Sequence, residues 1–175
     1  MTQDVDIDKL LNDLAKRLTG HLSELGAENP LMIGIHSGGV WVAERLHQQL
    51  AVQEPLGHLD ISFYRDDFSR IGMNPQVKPS HLPFTVDDRH IILVDDVLYT
   101  GRTIRAALNE IFDYGRPASV SLAVLIDRGG RELPIEANVI GLKMDLASGE
   151  NVKLQGPEPL SLHVAQKDAE QEGTV

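Results

Sequence analysis

Apolar residues recur at helical spacing near the start of the chain: Ile7, Leu10, Leu11, Leu14, Leu18, Leu22 and Leu25, with Gly26 placed to end the run. The pattern then changes period. Residues 31–35 form a short apolar stretch followed by a turn at 36–39, and Val40, Ala43, Leu46 and Leu50 mark a second helix. Residues 58–64 and 91–94 predict two more strands. Ile104, Ala107, Leu108 and Ile111 predict a helix that stops at Gly115. Residues 120–126 and 137–144 are further strand candidates, and 150–165 add shorter ones. Strands alternating with helices imply right-handed crossovers and a parallel sheet covered on both faces, an α/β fold.

Residues 65–89 break this rhythm with Arg65, Asp66, Asp67, Arg70, Gly72, Pro75, Lys78, Pro79 and Pro83. A connection of this length in a compact domain is functional or disordered. After Lys167 the chain is mostly small and polar, so 168–175 predicts a disordered tail behind one domain spanning 1–167. No internal repeat occurs.

Charge changes the picture more than length does. Lys plus Arg number 16 against 26 Asp plus Glu, a net charge of −10, so the surface repels polyanions unless a local basic patch overcomes it. Helix 1 offers no such patch: Lys9, Lys16 and Arg17 are set against Asp6, Asp8, Asp13 and Glu24. With no cysteine there is neither a disulfide framework nor a thiolate metal site, which fits a cytoplasmic protein. The N-terminus lacks a basic region followed by an apolar core, and no apolar run approaches the ~20 residues that span a bilayer. The histidines show no metal-ligand spacing.

The densest chemical information lies in residues 91–103, IILVDDVLYTGRT. Four aliphatic residues run into Asp95 and Asp96; a short turn follows, and Thr100, Gly101 and Thr103 open a helical pattern. Open α/β sheets place ligands at the carboxyl ends of their strands. A helix N-terminus presents free N–H groups and the positive end of its dipole, a seat for phosphate. Carboxylates avoid a phosphate, so Asp95 and Asp96 should meet sugar hydroxyls or a cation instead. Phosphate beside a polyol, with a divalent metal nearby, describes a sugar phosphate. An aliphatic strand ending in two acids also occurs in nucleotide triphosphatases, but the Gly-x4-Gly-Lys-Ser/Thr loop they need is absent. Acids near a helix start also favour its dipole, by a few tenths to ~1 kcal/mol, though two after a fully apolar strand exceed that need.

Residues 91–103 resemble the phosphoribosyl pyrophosphate (PRPP) signature of type I phosphoribosyltransferases. The likeness extends to the PyrR-type subfamily, the pyrimidine-operon regulators and uracil phosphoribosyltransferases, through residues 34–40 (GIHSGGV), 64–67 (YRDD) and 126–134 (IDRGGRELP). It implies a type I phosphoribosyltransferase fold with a small hood at about 135–165, and a flexible loop, 65–89, closing over the reacting centre. It implies magnesium-dependent transfer of phosphoribosyl from PRPP to uracil, giving UMP and pyrophosphate. Asp95, Asp96 and Arg128 would be the catalytic group, the two aspartates meeting the metal mainly through PRPP and water. PRPP would also contact Ser37, Gly38, Val97, Leu98, Tyr99, Thr100, Gly101, Arg102 and Thr103, while His36, Gly39 and Lys78 would reach the diphosphate or the loop. Lys143, Met144 and Val152 would lie at the base. An oligomer, dimer or higher, is also implied.

Tyr99 stands where purine-salvage relatives carry an aspartate, which favours a pyrimidine; the ring is either a substrate neighbour or a packing aromatic. His36 and Gly38 stand where PyrR relatives have arginine, and Met144-Asp145 where they have Ile-Pro. Arg102 either contacts phosphate or faces solvent, and Arg128 either binds substrate or belongs to a structural pairing, Arg128–Asp127 or Arg131–Glu132. Trp41 is expected in the core or a subunit interface. A UMP-responsive RNA attenuator with little or no catalysis, and transfer to another base, are the rival functions.

Overall fold

A computed structural model describes residues 4–61 and 80–166 of the 175. The 64–67 segment, Lys78, most of the 65–89 connection and the 168–175 tail lie outside the described residues. Asp6 begins helix α1 (Ile7–Leu25), its carboxylate accepting the Lys9 N–H at 3.1 Å. Gly26 ends it in the left-handed region at φ 66°, its N–H returning to Leu22 and Ser23 carbonyls. The 3.6-residue stripe buries Leu11, Leu14 and Leu18 completely.

Strand β1 (Leu31–Ile35) leads into α2 (Gly38–Gln49) and β2 (Gly57–Leu59). Beyond the undescribed segment come β3 (His90–Leu98), α3 (Arg102–Tyr114), β4 (Ser119–Asp127) and β5 (Val139–Lys143). These five strands form one parallel sheet in the order β2-β1-β3-β4-β5. Alternation along each strand divides the core between two faces. Met32, Ile92 and Val94 join α1 and α2, whereas Leu31, Ile33, Ile91 and Leu93 join α3. Both faces are covered, which is why the strands are apolar runs without polar alternation.

Several boundaries differ from the periodicity: β2, expected over 58–64, ends at Leu59, and β5, expected over 137–144, spans Val139–Lys143. Strand β3 continues four residues past Val94, because β4 runs alongside and supplies ladder partners as far as Leu98↔Asp127. Helix α2 starts at Gly38, two residues before its first large apolar residue. Strands β6 (Glu150–Gln155) and β7 (Ser161–Gln166) form a separate antiparallel hairpin. It is fastened to the body by Val152, Leu154 and Leu162, which enter the α1/α2 side of the core. Among the described residues, no helix is long and apolar enough to cross a membrane.

Candidate active site

From β1 the chain crosses through α2 to β2 on one side; β3 then lies on β1's other side. Connections therefore diverge above the carboxyl ends of β1 and β3, the crevice in which open α/β sheets bind ligands. A cleft of about 530 Å³ opens there. It is lined from the end of β1 and from α2 by His36, Ser37, Gly38 and Trp41, from β3 and its following turn by Asp95, Asp96, Val97 and Tyr99, and from the first turn of α3 by Thr103. Arg128 enters from the end of β4, and Asn151, Val152, Lys153 and Leu154 from the hairpin.

Asp95 is buried, and its Oδ1 accepts the Asp96 N–H at 2.8 Å; Asp96 Oδ1 accepts the Val97 N–H at the same distance. Each carboxylate is thus oriented by the backbone next to it. The start of α2 approaches so closely that only glycine fits. A Cβ on Gly39 would lie 2.7 Å from the Val94 carbonyl oxygen, and one on Gly38 would meet the Asp96 carboxylate. Any side chain at position 38 would have to displace the Asp96 carboxylate.

His36 donates its backbone N–H to Leu59 O at 2.9 Å, and its ring meets His58 edge-on, centroids 5.2 Å apart. Across the cleft, Gly101 adopts φ 92° at the start of α3, and Thr100 Oγ1 accepts the Arg102 N–H at 3.2 Å. Arg102 points outward, 3.5 Å from Glu132. Leu98 is buried, contributing its carbonyl to Arg128 N–H at 3.1 Å.

Arg128 does not pair with Asp127. Its guanidinium carbon lies 3.9 Å from the Tyr99 ring centroid, and its Nη atoms donate to Asn151 Oδ1 at 2.8 Å and Glu150 O at 3.1 Å. Its buried Nε has no hydrogen-bond partner. Asp127 instead accepts from Arg131 Nη2 at 2.7 Å and from the Gly129 N–H at 3.0 Å. Burial pushes the Asp127 carboxyl up, but the Arg131 hydrogen bond, the Gly129 N–H and the charges of Arg131 and Lys143 outweigh it, leaving it below the ordinary 3.8.

Two expected hood residues lie off the cleft. Met144 is buried in the α1/α2-side core, its N–H bonded to Asp127 O at 2.9 Å, and Lys143 closes strand β5 with its charge acting on Asp127. Asn151 and Lys153, which local sequence did not single out, line the cleft, because hairpin pairing brings them over it. Trp41 both packs on the core and lines the cleft. Among the described residues no three acidic, His or Cys side chains converge on a metal position. Two carboxylates without a third suit a hard cation that keeps most of its ligands from substrate oxygens and water.

A family model described as the phosphoribosyl transferase domain matches residues 4–160. The Bifunctional protein PyrR of Nitrosococcus oceani is 64% identical over 162 residues, covering 91% of this chain and 92% of that protein. The protein of the same name from Pseudomonas aeruginosa strain LESB58 is 59% identical over 154 residues, covering 88% and 91%. Among solved structures, the Trypanosoma cruzi hypoxanthine phosphoribosyl transferase superimposes with a TM-score of 0.63 at 22% identity, covering 84% of this chain and 78% of that one. A Staphylococcus aureus hypoxanthine phosphoribosyltransferase gives 0.61 at 20%, covering 82% and 79%. At these identities the structures share the fold.

Proposed function

The chain belongs to the phosphoribosyl transferase domain family, on its PyrR-type branch, and we propose that it transfers phosphoribosyl from PRPP to uracil, giving UMP and pyrophosphate. One observation carries the reading: Asp95 and Asp96 stand at the divergence point, with the 36–39 turn on one side and the 99–103 turn on the other. That is a polyol site between two anion seats.

In this reading Asp95 and Asp96 accept hydrogen bonds from the ribose 2′- and 3′-hydroxyls and stabilise positive charge developing at C1. Backbone N–H groups and hydroxyls of residues 100–103 take the 5′-phosphate. Ser37, Gly38 and Gly39 present N–H groups to the diphosphate, and a protonated His36 adds charge. Arg128, Asn151, Val152 and Lys153 border the base. Uracil N1 bonds to C1 as the C1–O bond to diphosphate breaks; its electron pair leaves with the diphosphate, and the N1 proton passes to solvent. Mg²⁺, bound chiefly through PRPP and water, would neutralise the leaving diphosphate. No covalent nucleophile is required, so positioning and charge stabilisation carry the rate. The cytoplasm is the expected setting. Exposed Phe112 and Tyr114 on α3 favour an oligomer.

The test is a labelled-base assay with PRPP and Mg²⁺, offering uracil beside hypoxanthine, guanine and orotate. Conversion of uracil alone supports the proposal; conversion of another base reassigns the acceptor, and none at all with PRPP bound leaves a nucleotide sensor.

The word bifunctional in the relatives' name supports a second reading, UMP-responsive RNA binding. Helix α1 counts against it, since its exposed Arg17 already turns Nη1 to the Ile140 and Gly141 carbonyls and its other cations, Lys9 and Lys16, stand among Asp6, Asp8, Asp13 and Glu24. Filter binding with pyrimidine-leader RNA separates the cases: an attenuator keeps tight, UMP-dependent binding at moderate salt, whereas fortuitous contact disappears.

A further inference from the structure

Arg131 has no place in the chemistry above, yet it is the most heavily used cation among the described residues. Its three nitrogens reach three different segments. Nη1 donates to Tyr99 O at 2.8 Å, Nη2 to Asp127 Oδ2 at 2.7 Å and Nε to Ile135 O at 2.7 Å, with its side chain only 16% exposed. The chain carries it there through Gly129 and Gly130, both left-handed at φ 72° and 79°; a Cβ on Gly130 would lie 2.5 Å from the Tyr99 ring. The next two N–H groups, of Glu132 and Leu133, both donate to Thr100 O, at 2.9 and 3.1 Å.

The carbonyls of two successive peptides, Tyr99–Thr100 and Thr100–Gly101, are therefore held by residues 131–133. Neither of these peptides is cis. In a trans peptide the N–H points opposite to the C=O. Fixing both carbonyls from one side thus aims the Thr100 and Gly101 N–H groups to the other. We propose that Arg131 is a positioning residue that presets this anion seat, holding the 99–101 turn with its amides turned toward a sugar 5′-phosphate. A lysine does not replace it, because one ammonium lacks the planar fork that spans three separated acceptors. Asp127 holds the fork from behind, and its ionised state keeps that bond charge-assisted.

The inference rests on the phosphate role proposed for residues 99–103, and its test separates the two. ¹⁵N-labelled wild type, Arg131→Gln and Arg131→Lys are titrated with ribose 5-phosphate, which needs the 99–103 seat, and with inorganic pyrophosphate, which needs the 36–39 turn. Thr100 and Gly101 amides shift in the wild type on adding ribose 5-phosphate. Both variants weaken ribose 5-phosphate about tenfold or more while pyrophosphate stays within about twofold. Should Arg131→Gln unfold, Arg131→Lys, which keeps the charge beside Asp127, carries the comparison. A folded variant with wild-type affinity for ribose 5-phosphate overturns the inference. So does equal weakening of both ligands, which marks general disruption. If ribose 5-phosphate leaves Thr100 and Gly101 unmoved in the wild type, the phosphate reading falls, and this inference with it.

Discussion

Gly38 and Asp96 are packed so tightly that a Cβ on the glycine would run into Asp96 Oδ2 and sit 2.6 Å from its Cγ. Asp96 cannot simply swing aside without giving up the 2.8 Å bond that Val97 N–H makes to its other oxygen. Gly38→Ala therefore displaces the carboxylate while keeping α2. The expected result is a rise of about tenfold or more in KM for PRPP, the scale of one lost charge-assisted hydrogen bond. Circular dichroism should be unchanged; unaltered KM would mean that Asp96 does not meet the sugar.

Replacing Asp95 and Asp96 together with asparagine keeps volume and removes both charges. Turnover should fall by about 10²–10³, as when a preorganised electrostatic contact to a transition state is removed. Steady-state kinetics with labelled uracil measures it. Intact turnover would refute the ribose assignment.

The Tyr99 ring face carries the Arg128 guanidinium, its carbon 3.9 Å from the ring centroid. Tyr99→Phe keeps that face, so kcat and KM should stay close to wild type. Tyr99→Ala removes about 0.5–1 kcal/mol of stacking and frees a guanidinium that otherwise lies between the turn and the hairpin. KM should rise in the alanine variant only. If Phe loses as much as Ala, the hydroxyl rather than the ring matters; if neither changes, the contact has no part in substrate binding.

Acid stability provides a test independent of substrate. The Asp127 carboxyl titrates below its ordinary 3.8 in the folded protein, so it binds protons less readily folded than unfolded. Its contribution is then fully present above 3.8 and is lost as pH falls through the lower folded value. Asp127→Asn lacks that dependence. Urea melts should show the wild type ahead by about 1.5–3 kcal/mol at pH 6, with the gap closing as pH falls below 3.8. A constant gap would mean that the Arg131 pair is not charge-assisted.

Much of this architecture was legible because it rests on local repetition. The stripe from Ile7 to Leu25, the apolar run ending at Asp95 and the capping glycine at Gly26 each answer to one element's own period. What stayed hidden depends on a partner. Strand β3 outruns its apolar residues because β4 lies beside it, and α2 starts early because Gly38 and Gly39 fit against β3. Asn151 and Lys153 alternate with buried Val152 and Leu154, a period-two signal that predicts their exposure but not what they face. Arg131 was visible only as half of a local pair with Glu132. Its bonds to Tyr99, 32 residues away, and to Ile135 exist only after the 129–130 double turn has formed.

The hairpin of β6 and β7 shares no backbone ladder with the five-stranded sheet among the described residues; side chains alone hold it, Val152, Leu154 and Leu162 from below and Arg128 from the side. Substitutions there need not disturb a strand register elsewhere. The sheet proposed to grip the sugar phosphate and the hairpin proposed to face the base can therefore accumulate changes at separate rates. A lineage built on this frame has a physical route to new acceptor preferences that leaves its donor chemistry in place.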